Sequence, residues 1–262
     1  MFTPEEYQLL DFGHGRRLER FGGMMLDRPC PAVEEVAPSC PDLWSQADAR
    51  FVRDEGKEGG WVSASPPVDR WTISHGPLTL ELKRTEFGHL GVFPEQAANW
   101  DWLAEQLEAA HGGTGRPGEG APRLAVLNLF AYTGASTLAA AAAGAEVTHV
   151  DAARNVLGWA RRNAELSEMS YAPIRWIAED AQKFVRRELK RGNGYDAVVL
   201  DPPSYGHGPR GEVWRLSKHL PKLLGMCARL TAGRRRFLLL TCHTPKFGPE
   251  RLGDLVAGAL PG

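Results

Sequence analysis

Cysteine is scarce in this sequence, and long apolar runs are absent. Only Cys30, Cys40, Cys227 and Cys242 occur among 262 residues, and no two stand at CxxC or zinc-ligand spacing. That excludes a zinc ribbon or a disulfide framework and reads as reduced thiols in a cytoplasm. His207, His219 and His243 also lack metal-ligand spacing, so no metal site is expected. The longest small-residue run, Ala139–Ala143, is too short to span a bilayer and is followed by Gly144 and Glu146. The N-terminal Met1-Phe-Thr-Pro-Glu-Glu6 is acidic and short of apolar residues, unlike a signal peptide. An excess of one charge is missing as well. The formal net charge is −1, so no global basic field announces a nucleic-acid partner. Basic residues are instead clustered, at Arg161-Arg162, at Arg186-Arg187 with Lys190-Arg191, and at Arg234-Arg235-Arg236.

What is present describes a soluble α/β globule, with 43% apolar and 24% charged residues. Residues 1–93 read as a β-rich appendage. Tyr7–Leu10, Trp61–Ser63, Arg70–Ile73 and Leu78–Leu82 are strand-like, and Gly22-Gly23, Gly59-Gly60, Pro66-Pro67 and Gly76-Pro77 break them. Residues 94–122 read as a helix, with Ala97, Trp100, Leu103 and Leu107 at helical spacing, followed by a Gly-rich linker at 111–120.

Residues 123–262 alternate apolar strands with helices. Strands are expected at Leu124–Leu129, Val147–Val150, Ile174–Ile177, Ala197–Leu200 and Phe237–Leu240. Helices are expected at Ala135–Ala143, Asn155–Leu166, Ala181–Lys190 and about Val213–Leu230. This pattern implies a Rossmann-like parallel sheet covered on both faces, with ligands at the rim where its strands end.

Candidate residues fall on that rim. In Phe130-Ala-Tyr-Thr-Gly134 a single glycine precedes a helix, so the loop is not the G-x-G-x-x-G dinucleotide pattern. One glycine beside Thr133 favours S-adenosylmethionine over NAD. Asp151, with Ala152 after it, ends the second strand and can accept ribose hydroxyls or cap a helix. Asp180 follows the third strand and can accept from an adenine amine, while the Ala181 N–H meets a ring nitrogen; it can equally be an N-cap. Asp201-Pro202-Pro203-Ser204 fixes two φ angles and leaves carbonyls at the rim. Asp201 and the Pro202 carbonyl can there accept from a nucleobase amine, with Tyr205 stacking on the base. Cys242 follows the fifth strand, beside His243 and near Lys246, where a thiolate can add to a pyrimidine C6. A buried, inert cysteine would look the same in sequence.

Asn128–Gly134, Val150-Asp151, Glu179-Asp180 and Val199-Leu-Asp-Pro-Pro203 resemble the class I S-adenosylmethionine methyltransferases. More narrowly, they resemble the bacterial large-subunit ribosomal RNA cytosine-C5 and guanine-N7 group, over about residues 70–247. Within Gly88–Gln96, Gly91-Val-Phe-Pro-Glu-Gln96 is similar to that group's Gly-x-Phe-x-x-Gln element. The resemblance implies a cofactor site of Gln96, Phe130, Thr133, Gly134, Asp151, Ala152, Asp180, Ala181 and Asp201. It implies reacting-side residues Asp201, Pro202, Pro203, Tyr205 and Cys242, with RNA as substrate. Thr-Cys-His replaces the cytosine-C5 members' Ser-Cys-Ser, and Asp-Pro-Pro-Ser-Tyr leans toward the guanine-N7 pattern. The family's closing antiparallel hairpin is not expected, because only Leu252–Leu260 and Pro261-Gly262 follow the last strand. A small-molecule methyltransferase, or a non-catalytic cofactor- or RNA-binding module, would share most of these residues.

Overall fold

The computed structural model describes residues 1–53, 59–63, 68–110, 123–207, 213–244 and 247–259; the expected Gly-rich linker, Pro66-Pro67 and Lys246 lie outside these. The chain divides into two compact units, Met1–Ala98 and Asn99–Gly262.

In the first unit β1 (Tyr7–Gly13), β2 (Arg16–Phe21), β3 (Met24–Pro29), β4 (Ala49–Val52) and β5 (Gly60–Ser63) form one sheet in sequence order. Its pairs are antiparallel except β3–β4. β6 (Arg70–His75) and β7 (Leu78–Lys83) form a separate hairpin, with Gly76 at φ +53° in its turn. Leu18, Phe21, Leu26, Phe51, Ile73 and Leu80 are buried. Glu19 and Arg28 are buried with them as an ion pair, Arg28 Nε donating to Glu19 Oε2 at 2.8 Å. The sequence reading missed β2 and β3 because this buried pair sits where an apolar residue would mark the alternation, and it also missed the four-residue β4.

The second unit carries the parallel sheet. After α1 (Ala97–Ala110) come β8 (Ala125–Leu129), α2 (Ala135–Ala142), β9 (Glu146–Asp151), α3 (Arg154–Leu166), β10 (Ile174–Ala178), α4 (Ala181–Arg191) and β11 (Ala197–Leu200). The chain continues through β12 (Tyr205–His207), β13 (Val213–Arg215), α5 (Leu216–Leu230), β14 (Phe237–Leu240) and α6 (Pro249–Ala259). The sheet order is β10-β9-β8-β11-β14, with every neighbour parallel. Alternate residues feed opposite faces: Leu127, Leu129, Val198 and Leu200 pack toward α4 and α5, and Val126, Ala197 and Val199 toward α1 and α2. The order reverses between β8 and β11, which places a crevice at their C-terminal ends.

Helix ends follow local chemistry. After α2, Gly144 at φ +86° lets its own N–H reach Ala141 O and that of Ala145 reach Ala140 O, a Schellman stop.

One expectation changes. The helix expected from Val213 starts at Leu216, because Val213–Arg215 pairs antiparallel with Tyr205–His207. Its burial alternates exposed, buried, exposed around Trp214, a strand period rather than a helical one. The segment after β14 forms α6, whose Leu252, Leu255 and Val256 pack against the α4–α5 side of the core.

Candidate functional site

Within the second unit the structure assembles a site at the β8/β11 crevice from backbone outward. The loop after β8 is held in an unusual shape, with Phe130 (φ +58°), Tyr132 (φ +48°) and Gly134 (φ +89°) all left-handed. Two non-glycine residues in this region cost free energy, so the surroundings must fix them. Asp151 does so from β9: its Oδ2 accepts the Tyr132 N–H at 2.9 Å and its Oδ1 the Ala153 N–H at 2.9 Å. On the other side Asn163 Nδ2 donates to the Thr133 carbonyl at 2.9 Å. A Cβ on Gly134 would stand 3.1 Å from Ala160 Cβ, so the loop lies hard against α3. Thr133 is buried.

Under the loop runs a buried polar chain. Asn128 Nδ2 donates to Thr137 Oγ1, which pairs with His149 Nδ1, each at 2.9 Å. Burial, reinforced by Arg161, pushes the His149 pKa down to about 3, so the ring is neutral. This chain ties β8, α2 and β9 together, and sequence reading missed it. The only signal was three polar residues at positions where strand and helix faces should be apolar.

Asp151 is half-buried, and burial raises its pKa against the opposing backbone hydrogen bonds. It is not the α3 N-cap, which is Ala153. The Tyr132 and Ala153 N–H groups each take one oxygen and the Ala152 N–H acts on the carboxylate as well, and with about four lone-pair sites the group can still accept from a ribose hydroxyl. The α2 N-terminus at Gly134 has no side-chain cap, leaving first-turn N–H groups directed at the same crevice. The donor and acceptor set fits an adenosyl–amino acid cofactor.

Asp180 is an N-cap: its Oδ1 accepts the Lys183 N–H at 2.8 Å and starts α4. Of its two alternative roles the structure displays the capping one, and Ala181 after it is buried in the core.

The loop after β11 is anchored at several points. Pro202 is buried and Pro203 exposed, and the Pro203 carbonyl already accepts the Trp214 Nε1–H at 2.6 Å. Trp214 in turn stacks on His219 and packs on Phe130, with ring centroids 4.9 Å apart in the latter pair. The cofactor-side loop and the Pro-Pro loop are thus joined through one indole. Ser204 Oγ and Thr244 Oγ1 share a hydrogen bond at 2.6 Å, and Asp201 Oδ1 accepts from the Thr241 hydroxyl. His243 Nε2 lies 3.7 Å from the same Asp201 oxygen. Tyr205 is exposed on β12. Cys242 is half-buried beside the apolar core cluster.

Of the sequence candidates, the structure thus brings Phe130, Thr133, Gly134, Asp151, Ala152, Asp180, Ala181, Asp201, Pro202, Pro203, Tyr205 and Cys242 to the C-terminal end of one sheet. Gln96 belongs to the first unit, buried in the 3-10 turn Pro94–Gln96.

The chain is 40% identical over 178 residues to the ribosomal RNA large subunit methyltransferase I of Aeromonas hydrophila, covering 66% of this chain and 41% of that protein. It is 35% identical over 123 residues to the K/L enzyme of Hahella chejuensis, covering 46% of this chain and 16% of that one. Against both curated relatives it spans less than half of their length. A solved structure of an S-adenosylmethionine-dependent methyltransferase from Agrobacterium tumefaciens superposes with a TM-score of 0.89 at 39% identity, covering 98% of this chain and 79% of that one. Residues 46–258 match the S-adenosylmethionine-dependent methyltransferase family, and the chain belongs to it.

Proposed function

We propose that this protein transfers the methyl group of S-adenosylmethionine to a base in RNA, with large-subunit ribosomal RNA as the substrate class. The observation that carries the reading is the pairing of two loops across the β8/β11 crevice. One is clamped by Asp151 and Asn163, the other by Trp214 and Thr241. The relatives named for ribosomal RNA supply the substrate class.

S-adenosylmethionine, when bound, supplies a methyl group on an electrophilic sulfonium. The protein's own part is to bind and orient. Asp151 accepts ribose hydroxyls, the Phe130–Gly134 backbone and α2 N-terminus receive the amino-acid end, and Ala181 borders the adenine. Asp201 and the Pro202 carbonyl accept from the target base, and Tyr205 offers a face for it to stack on. Fixing both reactants is the main source of acceleration, because the donor is already activated.

A small-molecule substrate is the competing reading, favoured by the net charge of −1. The test uses methyl-labelled S-adenosylmethionine with unmethylated large-subunit ribosomal RNA at rising salt. Label on the RNA, with turnover falling steeply as salt rises, is expected. Salt-insensitive turnover of small molecules with no label on RNA would favour the competitor.

A further inference from the structure

The opposite end of the same sheet carries a second concave site. Asp196 precedes β11, Arg234-Arg235-Arg236 precede β14, and α5 ends at Leu230, so these groups meet where the strands begin. A cavity of about 710 Å³ opens there, lined by Arg229, the three consecutive arginines, Asp196 and Ala259 of α6, among others. Its wall sets four guanidinium groups against one carboxylate, in a chain whose formal net charge is −1.

Only one of the four is neutralised at close range. Arg234 Nε and Nη2 donate to the two Asp196 oxygens at 2.8 Å each, a bidentate pair. Asp196 also accepts the Ala125 N–H at 2.7 Å through Oδ2, and its own carbonyl accepts the Arg236 N–H at 2.7 Å. The Arg235 N–H is fixed on the Thr231 carbonyl at 2.8 Å. The basic segment is therefore held in shape by its backbone and by Asp196. Arg229 and Arg235 have no acidic partner among the described residues, and Arg236 acts on Asp196 only through space. Arg235 is half-buried at the cavity wall. The Arg234 guanidinium is held by Asp196, Arg229 and Arg236 are exposed, and planar guanidinium groups match phosphate oxygens in a space that exceeds what one phosphate needs.

Placement along β14 supplies the connection to the reaction. Arg234–Arg236 stand at one end of this strand, and Thr241, Cys242 and His243 at the other. Five steps of about 3.3 Å separate Arg236 from Thr241 by roughly 17 Å, a span that a few nucleotides bridge.

We propose that this cavity binds backbone phosphates of the RNA whose target base enters the rim, with Arg229, Arg235 and Arg236 as phosphate contacts and Arg234 positioned by Asp196. The proposal rests on the RNA reading above.

The test is filter binding of a radiolabelled large-subunit ribosomal RNA transcript at rising KCl. Three proteins are compared: wild type, Arg235→Gln/Arg236→Gln, and a control of equal charge change, Arg161→Gln/Arg162→Gln on α3. The cavity variant should bind more weakly, with a log–log salt slope shallower by about 1.4, from roughly 0.7 per single-strand phosphate contact. Its affinity for S-adenosylmethionine by calorimetry should equal that of wild type, which shows an intact fold, and the α3 control should keep the wild-type slope. An unchanged slope in the cavity variant, or equal losses in both double variants, would overturn the phosphate site while leaving the methyltransferase reading in place. A wild type that neither binds nor methylates RNA would remove both.

Discussion

At the scale of single residues, Asp151 is the position where structure and ligand compete for the same atoms. Its two oxygens already hold the Tyr132 and Ala153 N–H groups. Asp151→Asn keeps one acceptor and turns the other position into a donor facing a backbone donor. A lost charge-assisted hydrogen bond is worth about 1.5–3 kcal/mol, so affinity for S-adenosylmethionine should fall by about tenfold or more. Calorimetric titration checks this, and an unchanged affinity would reduce Asp151 to a staple for the loop. Cys242 poses a different question. If the target is a pyrimidine carbon, Cys242→Ala abolishes turnover while cofactor affinity stays intact. Turnover retained within a few-fold would point to a ring or exocyclic nitrogen and leave Cys242 as packing against the core. These residues were legible in sequence because each stands just after an apolar strand. The Asp151 clamp was not, since its partners are backbone N–H groups of a loop whose left-handed φ angles no residue type announces.

At the scale of elements, the β12–β13 hairpin was hidden by a strong helical signal immediately after it. Leu216, Leu220, Leu223, Leu224 and Cys227 are buried along one face of α5, and that period extends plausibly backward over Val213–Arg215. Trp214 decides otherwise, because its indole N–H is used by the Pro203 carbonyl and its ring lies on Phe130. The hairpin therefore acts as a brace between the two loops of the site. Trp214→Phe keeps one aromatic ring but removes both the donor and the pyrrole half of a buried indole, which should cost about 1–3 kcal/mol of stability. We expect kcat to fall several-fold while the Kd for S-adenosylmethionine stays near wild type, because the Pro-Pro loop loosens and the Asp151 clamp does not. Steady-state kinetics beside calorimetry separates the two effects, and equal losses in both would show that the indole supports the whole crevice. The five parallel strands were legible for the opposite reason: they are short, apolar and bounded by turns. Strands β2 and β3 escaped because Glu19 and Arg28 are buried on them as a pair, so charge no longer marks the outside face.

At the scale of the whole molecule, burial of neutral histidine makes each unit sensitive to mild acid. Desolvation, helped by nearby cationic groups, lowers the pKa of His89 in the first unit and takes His149 in the second down to about 3. An unfolded histidine takes up a proton near pH 6.5, whereas the folded ring at position 149 refuses it until far lower pH. The unfolded state then binds more protons, so this contribution is complete above about pH 6.5 and is lost as pH falls. One fully linked group changes stability by about 1.4 kcal/mol per pH unit. Carboxylates enter later. Burial alone would raise Glu188 and Asp196, but hydrogen bonds from Asn193 and Tyr195 to the first, and from Arg234 to the second, bring both below their ordinary values. Their contributions are present above about pH 4 and fade only below it. Between about pH 6.5 and 4.5 the slope therefore reports mainly the histidines, opposed by Asp151, whose raised pKa acts with the opposite sign. Urea unfolding through that window should show wild type losing stability steadily. His149→Gln should be weaker at neutral pH, through loss of the Thr137 contact, yet visibly flatter in its pH dependence. Parallel slopes in the two proteins would mean that His149 is not the linked group. A flatter slope would tie the acid sensitivity of the second unit to the same buried chain that sets α2 beneath the cofactor loop.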